Sequence, residues 1–158
     1  MKPSNLKTVL YVEDEEDDVF FLQKAWQAEA VPNPLAVVSD GKQAIDYFST
    51  DPSPCANICL VILDLNLPGR SGFDVLKWVR QQTRLCTLPV LILTSSRHDR
   101  DVHNAYRLGA NAYLLKSPQA LDLKAVVREV RDFWLLRNQL PPDPRHFEIT
   151  RSDAQITT

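Results

Sequence analysis

Five short apolar runs, alternating with segments of helical spacing, constrain this chain more than any other feature. They are Thr8–Val12, Leu35–Val38, Ile58–Leu63, residues 88–93 and Ala112–Leu115. Most are continuously apolar, as strands buried on both faces of a parallel sheet must be. Helical patterns fill the gaps: residues 17–30, a segment capped by Asp40, Gly72–Gln81, residues 99–108, and a long stretch from Gln119 to about Leu140. Asp40 reads as an N-cap, and Gly109 as the left-handed residue that ends the fourth helix. The alternation predicts an α/β fold, (βα)5, with a doubly wound parallel five-stranded sheet covered by helices on both faces.

In such a sheet, chemistry gathers at the carboxyl ends of the strands, so the residues just past each run carry the functional information. Glu13 and Asp14 follow the first run, Asp64 the third, Thr94, Ser95 and Ser96 the fourth, and Lys116 the fifth. The predicted fold brings these acids, hydroxyls and one ammonium to a single edge. Carboxylates this close repel one another unless a cation sits among them. Oxygen ligands without nearby His or Cys favour Mg²⁺ (or Mn²⁺) over zinc. Mg²⁺ held by a few carboxylates keeps open positions suited to phosphoryl oxygens, and a carboxylate can itself accept a phosphoryl group as an acyl phosphate. Thr94 and Lys116 are then placed to contact that group. Read alone, each residue has a plain structural explanation: helix-start acids for Glu13 and Asp14, a strand-end hydroxyl for Thr94, a solvated Lys116. The further acids Glu15, Glu16, Asp17 and Asp18 read as first-turn charges rather than ligands.

The stretches "VLYVEDEEDD", "LVILDLNLP", "LPVLILTSS" and "GANAYLLKS" together resemble the receiver domain of two-component response regulators, in register and in order over roughly residues 7–140. The resemblance implies a flavodoxin-like sheet in order 2-1-3-4-5. It implies Asp64 as phosphoacceptor, with Glu13, Asp14, Asp64 and the backbone carbonyl of Asn66 holding the metal. Thr94, Ser95 and Lys116 would contact the phosphoryl group, and Thr94 and Tyr113 would form the switch. Two positions depart from the pattern. Ser117 stands where receivers usually carry proline, with Pro118 after it, so either the Lys116–Ser117 bond is cis or the loop is built differently. Ser71 stands where an aspartate is common, away from the site. The Lys-Ser variant, "DLNLP" and "DFWL" resemble stand-alone receivers paired with phytochrome-type histidine kinases, which implies such a kinase as partner and a cytoplasmic location.

Other classes fit less well. A haloacid-dehalogenase-type phosphatase, also using an aspartyl nucleophile, needs a second aspartate where Asn66 stands. A flavin-binding module needs a Ser/Thr/Gly-rich phosphate loop where "EDEEDD" stands. A receiver-like binding module that acts without phosphorylation remains an alternative, kept open by Ser117. A net charge of −2 gives no electrostatic case for nucleic acid. No apolar run reaches the ~20 residues of a membrane span. Cys55, Cys59 and Cys86 lack metal or disulfide spacing and read as reduced thiols. His98, His103 and His146 read as surface imidazoles.

Residues 1–6 read as an N-terminal extension, 7–140 as the receiver, and 141–158 as a flexible tail too short for an output domain. Signalling is therefore expected to run through protein–protein contacts. In the last helix, Leu123, Val127, Val130 and Trp134 have core-facing spacing. Val126, Phe133, Leu136 and Leu140 form an adjacent apolar strip, read as an interface for a homodimer or another partner.

Overall fold

The computed structural model describes residues 6–50, 57–117 and 120–142. Strands β1 (Thr8–Val12), β2 (Leu35–Val38), β3 (Ile58–Leu63), β4 (Val90–Thr94) and β5 (Ala112–Leu115) form one parallel sheet in the order β2-β1-β3-β4-β5. Helices α1 (Glu16–Ala28), α2 (Gly41–Ser49), α3 (Gly72–Gln81), α4 (Asp99–Arg107) and α5 (Ala120–Glu129) make the crossovers, and a π-helical segment, Val130–Arg137, continues α5. This is the doubly wound architecture expected from the alternation of runs. Cys55, Pro118, His146, the tail beyond Pro142 and nearly all of the N-terminal extension lie outside the described residues.

Side chains of successive strand residues point to opposite faces, so two cores form. Leu10, Val12, Val61, Leu63, Val90 and Ile92 pack with α2, α3 and α4. Val9, Tyr11, Leu60, Ile62, Leu91 and Leu93 pack with Leu22, Ala25 and Trp26 of α1 and with Val127 and Val130 at the far end of the chain. A register shift between Thr8 and Val9 against β3 places Cys59 and Leu60 on the same side, and parity is regular from there to the strand end.

Local chemistry explains most of the boundaries. The Asp40 side chain accepts from the Gln43 N–H at 2.7 Å, the expected cap of α2. Ser71 proves to be the N-cap of α3. It forms a reciprocal capping box with Asp74 (3.2 Å and 3.1 Å), which gives a structural reason for the serine there. Gly109, at φ 100°, closes α4 as expected: its N–H donates to the Tyr106 carbonyl and that of Ala110 to Ala105.

Three elements differ most from the sequence reading. Helix α1 ends at Ala28 because Ala30 takes φ 51°, with Val31 N–H donating to Trp26 O and Ala30 N–H to Gln27 O, the two bonds of a Schellman ending. Strand β4 starts at Val90, since Leu88 N–H is engaged in a turn with Leu85 O, and it extends through Thr94, whose carbonyl accepts from Lys116 N–H. The last helix is α-helical only to Glu129. Beyond that the bonding widens, with Asn138 N–H donating to Phe133 O at 2.6 Å. Of the residues expected to face the core there, Val127 and Val130 are buried, and Leu123 and Trp134 pack partly buried beside them. Among the described residues, no helix is long and apolar enough to cross a membrane.

Candidate functional site

The sheet register sets the site. Val12 pairs with both Val38 and Leu63, so Glu13 and Asp64 leave the ends of adjacent strands together; Asp64 N–H donates to Val12 O and Glu13 N–H to Val38 O. Across the sheet, Thr94 pairs with Leu115, which delivers Lys116 just beyond the last register pair. The site therefore lies where strand order reverses, at the β1/β3 switch point.

Glu13, Asp14 and Asp64 each offer an oxygen within 4.8 Å of the others, the one such group of potential metal ligands among the described residues. Glu13 is 1% exposed and Asp64 3% exposed. Charges buried to this degree need a counter-charge. Lys116 provides it: its Nζ lies 2.5 Å from Glu13 Oε2, 2.7 Å from Asp64 Oδ2 and 2.8 Å from Asp18 Oδ2. Burial opposes the charge on Lys116, but hydrogen bonds to Asp18, Asp64 and Glu13 outweigh it and hold the ammonium above its ordinary pKa. For Glu13 burial dominates, joined by the nearby Asp64 charge and opposed by Lys116, and the carboxyl is pushed up to about 7. The Tyr11 hydroxyl donates to Glu13 Oε2 at 3.2 Å and Glu15 N–H to Oε1 at 3.1 Å.

Asp14 supplies the test of whether a cation fits. Its Oδ1 is buried and has no hydrogen-bond donor. A buried acceptor without a donor is costly unless something positive meets it. A hard divalent cation shared by Glu13, Asp14 and Asp64 satisfies that need with an oxygen-only ligand set.

The remaining expected site residues lie at different depths and distances from the acids. Asn66 is exposed, and its N–H donates to Asp64 Oδ1 at 3.3 Å. Thr94 is fully buried, its Oγ1 accepting from Ser96 N–H at 3.4 Å, while Ser95 is exposed. Tyr113 packs against the α2–α4 core and donates its hydroxyl to Ser96 O at 3.0 Å. Phe133 and Leu136 are 51% and 67% exposed, whereas Val126 and Leu140 are partly buried against the α1 side of the sheet. The expected apolar strip is thus open only at its two central residues. His98 and His103 are exposed, Cys59 and Cys86 are free thiols, and none of them approaches the acids.

Three contributors escaped sequence reasoning. Asp18, read there only as a first-turn charge, is an acceptor for Lys116, a role with no local sequence signal. Tyr11 carries no mark in the sequence beyond being an aromatic inside the first apolar run. Gly72 is required by contact: a Cβ there would lie 2.1 Å from the Asp64 carbonyl oxygen and 2.7 Å from Leu65 Cα, so the first residue of α3 rests directly on the backbone that carries Asp64.

An open α/β sheet with a carboxylate triad, a strand-end threonine and a lysine at its switch point defines a receiver. Residues 9–128 match the response regulator receiver domain, and the chain belongs to that family of two-component signalling proteins. It is 34% identical to the response regulator Rcp1 of Synechocystis sp. over 85% of this chain and 93% of that one. Among solved structures it resembles the phosphorylated cyanobacterial phytochrome response regulator RcpA, with 31% identity, TM-score 0.80 and coverage of 87% of this chain and 99% of that one. It also resembles the Mn²⁺-bound form of Rcp1, with 34% identity, TM-score 0.78 and coverage of 86% and 99%.

Proposed function

We propose that this chain is a response regulator that takes a phosphoryl group onto Asp64 and passes the signal on by protein–protein contact. The observation that carries the reading is the Glu13–Asp14–Asp64 cluster at the β1/β3 switch point, with Lys116 reaching into it. The donor is the phosphohistidine of a kinase, and the likeness to the cyanobacterial phytochrome response regulator RcpA favours a phytochrome-type kinase. An Asp64 carboxylate oxygen forms the new O–P bond as the N–P bond to the imidazole breaks, and the electron pair of that bond stays on the imidazole nitrogen. The phosphoryl group thereby moves intact from nitrogen to oxygen, giving an acyl phosphate.

Glu13, Asp14, Asp64 and the Asn66 carbonyl are the proposed holders of Mg²⁺ or Mn²⁺, which when bound neutralises charge on the acids and on the transferring oxygens. Gly72 and the Asn66 N–H fix the backbone and one carboxylate oxygen of Asp64. Lys116 and Thr94 are the groups for the phosphoryl oxygens, with Ser95 at the loop start. Engagement of Thr94 draws on the loop whose Ser96 carbonyl holds the Tyr113 hydroxyl, so that contact is the proposed switch. Phe133 and Leu136 are the proposed contact surface for a second copy of the chain.

The test is incubation with a small-molecule phosphodonor in Mg²⁺ or in excess chelator. Labelling that requires the cation supports the reading. Equal labelling in chelator refutes the metal-assisted form, and no labelling in Mg²⁺ favours a binding module that acts without phosphorylation.

A further inference from the structure

Lys116 is shared by three carboxylates, and one of them stands outside the group able to hold a cation. An ammonium has three N–H donors. Here Glu13, Asp64 and Asp18 lie at 2.5, 2.7 and 2.8 Å from its nitrogen. Glu13 and Asp64 belong to the potential metal cluster and Asp18 does not. A cation entering that cluster competes with the ammonium for two of its three acceptors. Asp18 is the acceptor that remains.

Its placement suits that role. Asp18 sits in the first turn of α1 with a side chain 39% exposed, so it stays in contact with water whichever partner the buried acids take. Beside it a cleft of about 200 Å³ opens between α1, β5 and α5, lined by Asp18, Phe21, Leu115, Lys116 and Val126 among others. Lys116 itself lines that cleft, so space lies beside the ammonium on the Asp18 side. Asp122 lines the same cleft and is the rival acceptor.

We propose that Asp18 is a positioning residue: it retains Lys116 when a divalent cation displaces the ammonium from Glu13 and Asp64, and so keeps the lysine within reach of the phosphoryl group that Asp64 takes up. This rests on the receiver reading above. Without Asp18, the displaced ammonium is released to solvent, and cation binding weakens because the lysine then surrenders its acceptors with nothing in exchange.

The test follows the Lys116 ammonium by NMR in protein labelled with ¹⁵N-lysine, with and without saturating Mg²⁺, alongside Mg²⁺ affinity by calorimetry. The native chain should keep a slowly exchanging ammonium signal in Mg²⁺. Asp18→Asn should lose that signal on adding Mg²⁺ and bind the ion about three- to fivefold more weakly, the range of a partly exposed ion pair. Asp18→Glu should recover the signal, and Asp17→Asn, which removes a neighbouring exposed charge, should leave signal and affinity near native. The proposal is overturned if the signal survives Mg²⁺ in Asp18→Asn, if Asp17→Asn weakens affinity as much, or if Asp122→Asn alone abolishes the signal. Neither readout uses a phosphodonor. A failure of transfer to Asp64 therefore leaves this result standing, and a failure here leaves the labelling of Asp64 untouched.

Discussion

Replacing Lys116 by methionine tests the electrostatics of the site most sharply. The substitution keeps an unbranched apolar stem and removes the one cation, among the described residues, within 2.8 Å of Glu13, Asp18 and Asp64. Two carboxylates whose oxygens lie up to 4.8 Å apart then repel by about 3.5 kcal/mol at an effective dielectric near 20. Glu13 escapes part of this by binding a proton. Its folded pKa is already raised to about 7, above the ordinary 4.5, and removing Lys116 raises it further. Because the folded state binds that proton more tightly than the unfolded chain, stability falls as pH rises from about 4.5 toward the folded pKa, and the variant continues to lose stability beyond it. At pH 8, about one unit above the native value, protonation limits the Glu13 share of the deficit to about 1.4 kcal/mol. The lost pairs with Asp64 and Asp18 add about 1–2 kcal/mol. Urea unfolding in chelator should therefore show Lys116→Met less stable by about 3 kcal/mol at pH 8 and about half that at pH 5. Adding Mg²⁺ at pH 8 should narrow the gap. A deficit that does not change with pH, or a variant as stable as the native chain at pH 8, refutes the argument.

Other substitutions probe separate parts of the molecule. Gly72→Ala puts a methyl 2.1 Å from the Asp64 carbonyl oxygen, so backbone must move; urea unfolding should show a loss of about 2–4 kcal/mol, and a loss under about 0.5 would mean the contact relaxes freely. Ala30→Gly relieves the φ 51° of the α1 ending and should raise stability by about 1 kcal/mol, with a decrease in the urea midpoint counting against the strain. Charge substitution of the exposed Phe133 and Leu136 should give a folded monomer in sedimentation, and a native chain that is already monomeric at high concentration in both phosphorylation states rules out the homodimer.

The architecture was readable because β1, β3 and β4 are continuously apolar runs buried on both faces, a pattern with few other solutions. The acids were readable because strand ends in a parallel sheet converge, and no long-range contact had to be guessed beyond the sheet itself. The ending of α1 was not, since nothing in "AEAV" marks an alanine that adopts a glycine's conformation. The π-helical continuation of α5 was not either, because a 3.6-residue period fits the buried Val127 and Val130 equally well under both geometries for one turn. Asp18 was misread for a different reason. A helix-dipole role accounts for any acid in a first turn, and only the folded position of Lys116, 98 residues away, shows the second role.

The central claim is that Asp64 is the phosphoacceptor, and intact-mass measurement after exposure to a small phosphodonor in Mg²⁺ tests it most directly. The native chain should gain the mass of one phosphoryl group and Asp64→Asn should gain none, with its fold unchanged by circular dichroism. Undiminished labelling of folded Asp64→Asn would contradict the account and move the acceptor to another residue.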